Sequence, residues 1–183
     1  MTVEILVVAD RSGSMASIAD EAIGGFNRFL TEQQDLEGEA NLTLVLFDDR
    51  VEVPVKSVPI RDVQPLTRQT FVPRGMTATF DAVGKALAEL EILAPEKAIV
   101  LIITDGGENA SREFTQQSVK AKVAEAEARG WEVIFLAQNL DAAQAGGALG
   151  LRGASTFGLA AGAAGIHEGY ATISVSASAY RSK

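Results

Sequence analysis

The chain has no cysteine among its 183 residues, which removes disulfide staples, thiolate zinc sites, iron–sulfur clusters and cysteine nucleophiles together. Basic charge is also scarce: 16 Lys and Arg stand against 24 Asp and Glu, a net charge of −8. Nucleic-acid binders gain affinity by replacing counterions with Lys and Arg, so no nucleic-acid partner is expected. Long hydrophobic runs are missing. The longest, Ile5 to Ala9 and Ala98 to Ile103, fall far short of the roughly 18 residues that span a bilayer, and no membrane helix is expected. Glu4 precedes the first run with no basic region before it, unlike a secretory leader, so cytoplasm is the default compartment. Phosphate loops are absent as well: Gly84-Lys85 lacks a Gly at the required earlier spacing, and Gly158, Gly162 and Gly165 are wrongly spaced for a dinucleotide fingerprint.

What is present is an ordinary globular composition, 47% hydrophobic and 22% charged. The length suits a single domain over residues 1–183, with the Ala/Gly-rich part from 137 to 183 packed on the same unit. Val3 to Ala9, Ala98 to Thr104 and Trp131 to Ala137 are continuous apolar runs rich in β-branched residues, the pattern of parallel strands buried on both faces. Asn41 to Phe47 and Val51 to Val55 flank Asp48, Asp49 and Arg50 as an antiparallel hairpin, and Pro54 puts the second strand at an edge. Apolar residues three to four apart predict helices from Met15 to about Gln34, Thr79 to about Leu93 and Thr115 to Arg129, the last stopped by Gly130. Lys56 to Arg74, with Pro59, Pro65 and Pro73, reads as a long surface connection. Beyond Asn139 the pattern weakens. Ile166, Tyr170, Ile173, Ala177 and Tyr180 share a helical face, favouring a terminal helix, although Ala171 to Ala179 also alternates with period two. The lone His167 is read as a surface or capping residue. Strands alternating with helices predict an α/β, doubly wound, mostly parallel sheet with one antiparallel edge strand and helices on both faces.

Oxygen ligands concentrate in loops that such a sheet brings together. Asp10, Ser12 and Ser14 follow the first buried strand, Thr77 precedes a helix, and Asp105 follows the strand ending at Thr104. Ligands collect outside the carboxyl ends of strands where the strand order switches. A short loop of carboxylate and hydroxyl oxygens suits a hard cation that keeps some of its waters. Each loop has a plainer explanation when taken alone. Asp10 and Ser12 serve as helix caps, Thr77 or Thr79 as an N-cap with Asp81 favourable in the first turn, and Asp105-Gly106-Gly107 as a turn. Capping does not explain all three loops, and Asp81 is read as structural.

The residues "DRSGSM", "GMTATFDAVGKAL" and "ITDGGENAS" resemble the von Willebrand factor A domain, in its compact bacterial and phage type. Asp10, Ser12 and Ser14 match the Asp-x-Ser-x-Ser element of its metal-ion-dependent adhesion site, and Thr77 and Asp105 match its later Thr and Asp. Coverage is good from Val3 to about Asn139 and loose beyond. The resemblance implies a Rossmann-like fold and a Mg²⁺-type cation, with Mn²⁺ or Ca²⁺ as alternatives. It also implies a non-enzymatic protein-binding module, in which a partner's Asp or Glu carboxylate completes the metal shell. Bacterial members allow for partnership with an AAA-type ATPase system, and the partner-selecting rim is expected around Asp48, Asp49, Arg74, Glu108 and Arg112.

Two other readings compete with this one. A haloacid-dehalogenase-like phosphatase would use Asp10 as nucleophile but needs an acid two residues on, where Ser12 stands. The other is an assembly subunit with a vestigial site.

Overall fold

All eight residues of strand β1 (Val3–Asp10) are buried. A parallel neighbour on each side and helices on each face leave them no route to water. The protein is described by a computed structural model over residues 2–104, 107–138, 142–151, 156–159 and 163–183. β1 pairs in parallel with β2 (Ala40–Phe47) on one side and with β4 (Lys97–Thr104) on the other. β2 pairs antiparallel with β3 (Val51–Pro59). β5 (Glu132–Gln138) and β6 (Thr156–Leu159) add in parallel, giving the order β3-β2-β1-β4-β5-β6. This is the expected doubly wound sheet with its antiparallel edge strand, and Pro54 sits in that edge. The order reverses between β1 and β4, so a crest cleft opens above their carboxyl ends.

Alternation along β1 feeds two cores. Ile5, Val7 and Ala9 pack with α1 (Ala19–Gln34) and α5 (Ala163–Arg181), through Phe26, Phe29, Ile173 and Ala177. Leu6 and Val8 pack with α2 (Thr79–Leu93) and α3 (Gln116–Ala128), through Val83, Leu87, Val119 and Val123. Thr115 caps α3 by accepting from the Ser118 amide at 3.2 Å, and Gly130 follows with φ +81.

Three stretches differ from the sequence reading. The first helix begins later than expected, because Gly13–Ile18 forms a 3-10 turn before α1. Glycine and serine are weak helix formers, and this turn is tied to other loops, with Gly13 N–H donating to Gly75 C=O at 3.1 Å. The segment from Lys56 to Arg74 is not merely a surface connection. β3 runs on to Pro59, and Ile60, Val63, Leu66 and Phe71 are buried in the core beside α1. Side-chain amides of α1 satisfy its irregular backbone: Asn27 pairs with the Leu66 N–H and C=O, and Gln34 donates to Ile60 C=O. Finally, the Ala/Gly-rich stretch contains a short helix, α4 (Ala142–Ala148), and the edge strand β6, whose composition gave no periodic signal.

The terminal helix buries Ile166, Tyr170, Ile173 and Ala177, the face expected of it, and His167 is exposed. It closes against α1 over Gly25, where an added Cβ would lie 2.2 Å from the Tyr170 ring. Gln33, 0% exposed, donates to Ser174 C=O and Ser178 Oγ across the same contact. Two adjacent glycines in α1 should therefore respond oppositely. Gly25→Ala should lower unfolding free energy by about 1–3 kcal/mol through overpacking. Gly24→Ala, exposed with nothing within 4 Å, should raise it by up to about 1 kcal/mol through helix propensity. Urea unfolding of both variants checks the pair.

Candidate metal centre at the sheet crest

Asp10 ends β1 only 1% exposed, and a buried carboxylate is costly unless it is hydrogen-bonded. Its Oδ1 accepts from Ser12 N–H at 2.6 Å and its Oδ2 from Thr104 Oγ1 at 2.7 Å. The second bond joins the ends of β1 and β4 across the switch point. Ser12, also 1% exposed, places its Oγ 3.0 Å from Ser14 Oγ.

Thr77 reaches the crest on the loop before α2 and is 4% exposed. Its N–H donates to Asn109 Oδ1 at 2.8 Å, and its C=O accepts from the Asn109 and Ala110 amides at 2.9 and 3.1 Å. Together with the Gly13–Gly75 bond, these contacts join the loop after β1, the loop before α2 and the loop after β4. Gly75 makes the turn with φ +66, a conformation that glycine adopts without strain. The structure thus brings Asp10, Ser12 and Ser14, from the end of β1 and the loop after it, and Thr77, from a second loop, into one interlocked crest, with Asn109 and Ala110 joining from the loop after β4. Asp105, which follows Thr104 in the chain, lies outside the described residues.

The donor set is suited to a small hard cation. Among the described residues no group of three or more His, Cys, Asp and Glu side chains gathers, so the donors on offer are hydroxyls beside a carboxylate. In an octahedral shell with Mg–O near 2.1 Å, adjacent oxygens lie about 3.0 Å apart. The Ser12 and Ser14 hydroxyls, 3.0 Å apart and hydrogen-bonded to each other, need not move apart to share such a shell, though the hydrogen bond alone accounts for their separation. Both Asp10 oxygens already accept one protein hydrogen bond, and each keeps a lone pair for a metal-bound water.

The expected rim divides in two. Asp49, Arg74 and Arg112 are exposed. Asp48 and Glu108 are not free to select a partner, because internal contacts occupy them. Asp48 is 0% exposed and takes Arg11 Nε at 3.1 Å and Arg74 Nε at 2.8 Å. Glu108 accepts from the Phe80, Ala110 and Ser111 amides and from Ser111 Oγ. The sequence reading missed Arg11 and Glu52 altogether. Arg11 stands between two motif residues, and a charged side chain there already hinted at a built contact.

Asp81 is an internal fastener. It accepts from the Arg112, Glu113 and Phe114 amides at 2.9, 2.9 and 2.7 Å, pinning the approach to α3. Burial acts to raise its carboxyl pKa, but these three N–H groups and the Lys85 charge outweigh it and hold the pKa below the ordinary value. Asp48 behaves likewise. Burial is opposed by hydrogen bonds from Arg74 and the Arg50 amide and by the Arg11 and Arg74 charges, and the net displacement is downward.

No family model and no curated protein matches the chain by sequence. Solved structures do resemble it. One is the pilus adhesin SpaC from Lactobacillus rhamnosus GG in its open conformation, with TM-score 0.76 and 18% identity, over 96% of this chain and 30% of that one. Another is the von Willebrand factor domain of the type V pili tip protein Mfa5 from Porphyromonas gingivalis, with TM-score 0.70 and 13% identity, over 98% and 96% of the two chains. A third is proximal thread matrix protein 1 from the mussel byssus with a zinc-occupied metal-ion-dependent adhesion site, with TM-score 0.62 and 18% identity, over 94% and 47%. In other crystals of the mussel protein the match likewise spans 46% of that protein's chain, so this chain corresponds to about half of it. The chain has a von Willebrand factor A fold.

The lowered carboxyls give stability a direction with pH. A group whose folded pKa is depressed contributes stability above its unfolded value, here near 3.8 for both Asp48 and Asp81, and loses it as pH falls through the folded value. Melting temperature should therefore drop as pH falls below about 4. In Asp81→Asn the protein should be less stable at pH 7 by about 1–3 kcal/mol, through mismatched amide donors, and its acid-dependent drop should be smaller. Thermal melts between pH 7 and pH 2 check this.

Proposed function

We propose that this protein is a metal-dependent protein-binding module. Asp10, Ser12, Ser14, Thr77 and Asp105 would hold a divalent cation of the Mg²⁺ type. The observation that carries the reading is the interlocking of the three loops beside a buried Asp10, with the Ser12 and Ser14 hydroxyls side by side in the first of them. The resemblance of the fold to pilus adhesins and to a byssus matrix protein with an occupied adhesion site supports the same reading.

The chain's residues divide the work. Ser12, Ser14 and Thr77 offer neutral oxygens, and Asp10, buried and doubly hydrogen-bonded, is placed to orient bound water. With so little negative charge donated by the protein, the bound cation supplies an electrophilic position open to one more anion. A partner's Asp or Glu carboxylate is the ligand that suits this position, because a charge-assisted contact adds both strength and direction. The net charge of −8 disfavours extended polyanions but not a single carboxylate, since diffuse repulsion is screened beyond about 10 Å at 0.1 M salt. Exposed Asp49 and Arg112 are available to sort partners, alongside Met76 at 53% exposure beside Thr77, while Arg74, though exposed, is engaged by Asp48 and Glu52. The phosphatase alternative lacks its acid, because Ser12 stands where a second carboxylate is needed.

Calorimetric titration with Mg²⁺ and Mn²⁺ should give one site in the wild type and none in a combined Asp10→Ala, Asp105→Ala variant. Acetate added to the Mn²⁺-loaded wild type should then displace bound water and reduce the Mn²⁺-enhanced relaxation of water protons. Equal metal binding by the variant, or no response to acetate, would count against the reading.

A further inference from the structure

Two arginines converge on one pair of carboxylate oxygens beside the crest. Arg11 Nε donates to Asp48 Oδ2 at 3.1 Å, and Arg74 Nε donates to the same atom at 2.8 Å. Arg11 Nη2 lies 2.8 Å from Glu52 Oε1, and Arg74 Nη2 donates to that oxygen at 2.7 Å. Backbone bonds run alongside: Arg74 N–H donates to Arg11 C=O at 2.9 Å, Arg11 N–H to Phe47 C=O at 2.8 Å, and Ala78 N–H to Asp48 C=O at 2.8 Å.

The two arginines occupy telling places. Arg11 lies between Asp10 and Ser12, and Arg74 lies three residues before Thr77. Each loop that offers hydroxyls to the cation is therefore tethered to the same two acceptors, both carried by the β2–β3 hairpin. The arginine fork is planar and presets the distance between two acceptors, which a lysine cannot do. The four charges also cancel, so neither guanidinium faces the crest uncompensated.

The geometry points to Asp48, Glu52, Arg11 and Arg74 as positioning residues that set the spacing of the Ser12 and Thr77 loops for cation binding. This inference rests on the metal reading above. The residues touch no ligand themselves. They act by holding the two loops in register, as groups behind metal ligands do elsewhere.

For an arginine, a positioning role and a background-charge role predict opposite signs, whereas for Glu52 both predict weaker binding, so Arg74 decides between them. By Coulomb's law, removing a positive charge near a cation site tightens cation binding. Removing a positioning group weakens it. Glu52 suits the test because its side chain is 50% exposed and exposed pairs contribute little to stability. Arg74, 46% exposed, also donates to the buried Asp48, so its replacement carries a stability cost that is read separately. In Arg74→Ala and in Glu52→Gln, the Mn²⁺ dissociation constant measured by calorimetry should rise about tenfold, the low end of the roughly 10–100-fold cost of losing groups that orient metal ligands. Melting temperature in chelator should stay close to that of the wild type in Glu52→Gln and fall in Arg74→Ala, which removes a partner of the buried Asp48. Arg74→Lys, which keeps the charge but loses the fork, should recover only part of the affinity. Arg68→Ala, which breaks the exposed pair with Asp20, should leave affinity within about twofold, as surface pairs do.

Unchanged or tighter Mn²⁺ binding in Arg74→Ala, whatever Glu52→Gln does, overturns the inference and leaves the metal reading standing. An equal loss in Arg68→Ala also overturns it. Absence of Mn²⁺ binding by the wild type overturns the metal reading, and this inference with it.

Discussion

A charged carboxylate at the end of a fully buried strand is the constraint around which the crest is arranged. Asp10 is only 1% exposed, so bulk solvent does little for its oxygens and the chain must provide for them. It does so with an amide two residues on and a hydroxyl from the neighbouring strand. The first contact folds the loop after β1 back on itself and sets Ser12 beside Ser14. The second fixes β4 against β1 at the point where the strand order reverses. A parallel sheet would place these strand ends near one another in any case. The Asp10 contacts turn proximity into a defined arrangement of oxygens.

The surrounding charges follow the same logic of satisfied burial. Asp48 and Asp81 are each held by several donors from other segments, and Glu108 joins its own loop to α2 through the Phe80 N–H. Each therefore works as a fastener between loops rather than as a surface charge. Interlocked loops of this kind lose little freedom when a ligand arrives, which favours tight positioning over adaptability. The rim keeps its exposed residues, Asp49, Met76, Arg74 and Arg112, on top of that fixed base.

Much of this was legible in the sequence because burial leaves a strong pattern. Continuous apolar runs marked β1, β4 and β5, and the Asp-x-Ser-x-Ser string with a later Thr marked two loops that meet at the crest. The Ile166, Tyr170, Ile173 and Ala177 stripe marked the terminal helix. Failures came where local pattern and tertiary role diverge. A charged residue in a loop reads as solvated, yet Asp48 meets Arg11 across 37 residues of sequence, a pairing that no local window contains. Ile60, Val63, Leu66 and Phe71 have no regular period, so their burial beside α1 could not be inferred from spacing. Alanine and glycine in α4 and β6 carry neither amphipathic signal nor turn chemistry. Asp105 was legible as a motif residue, and its role rests on that motif.

The most direct test of the central claim is to locate the cation. Crystals grown with Mn²⁺ and measured for anomalous scattering should show one peak at the crest, within about 2.0–2.3 Å of Ser12 and Ser14 Oγ, the range of a six-coordinate divalent ion with oxygen ligands. A peak elsewhere on the protein, with no density between those hydroxyls at saturating Mn²⁺, would contradict the account.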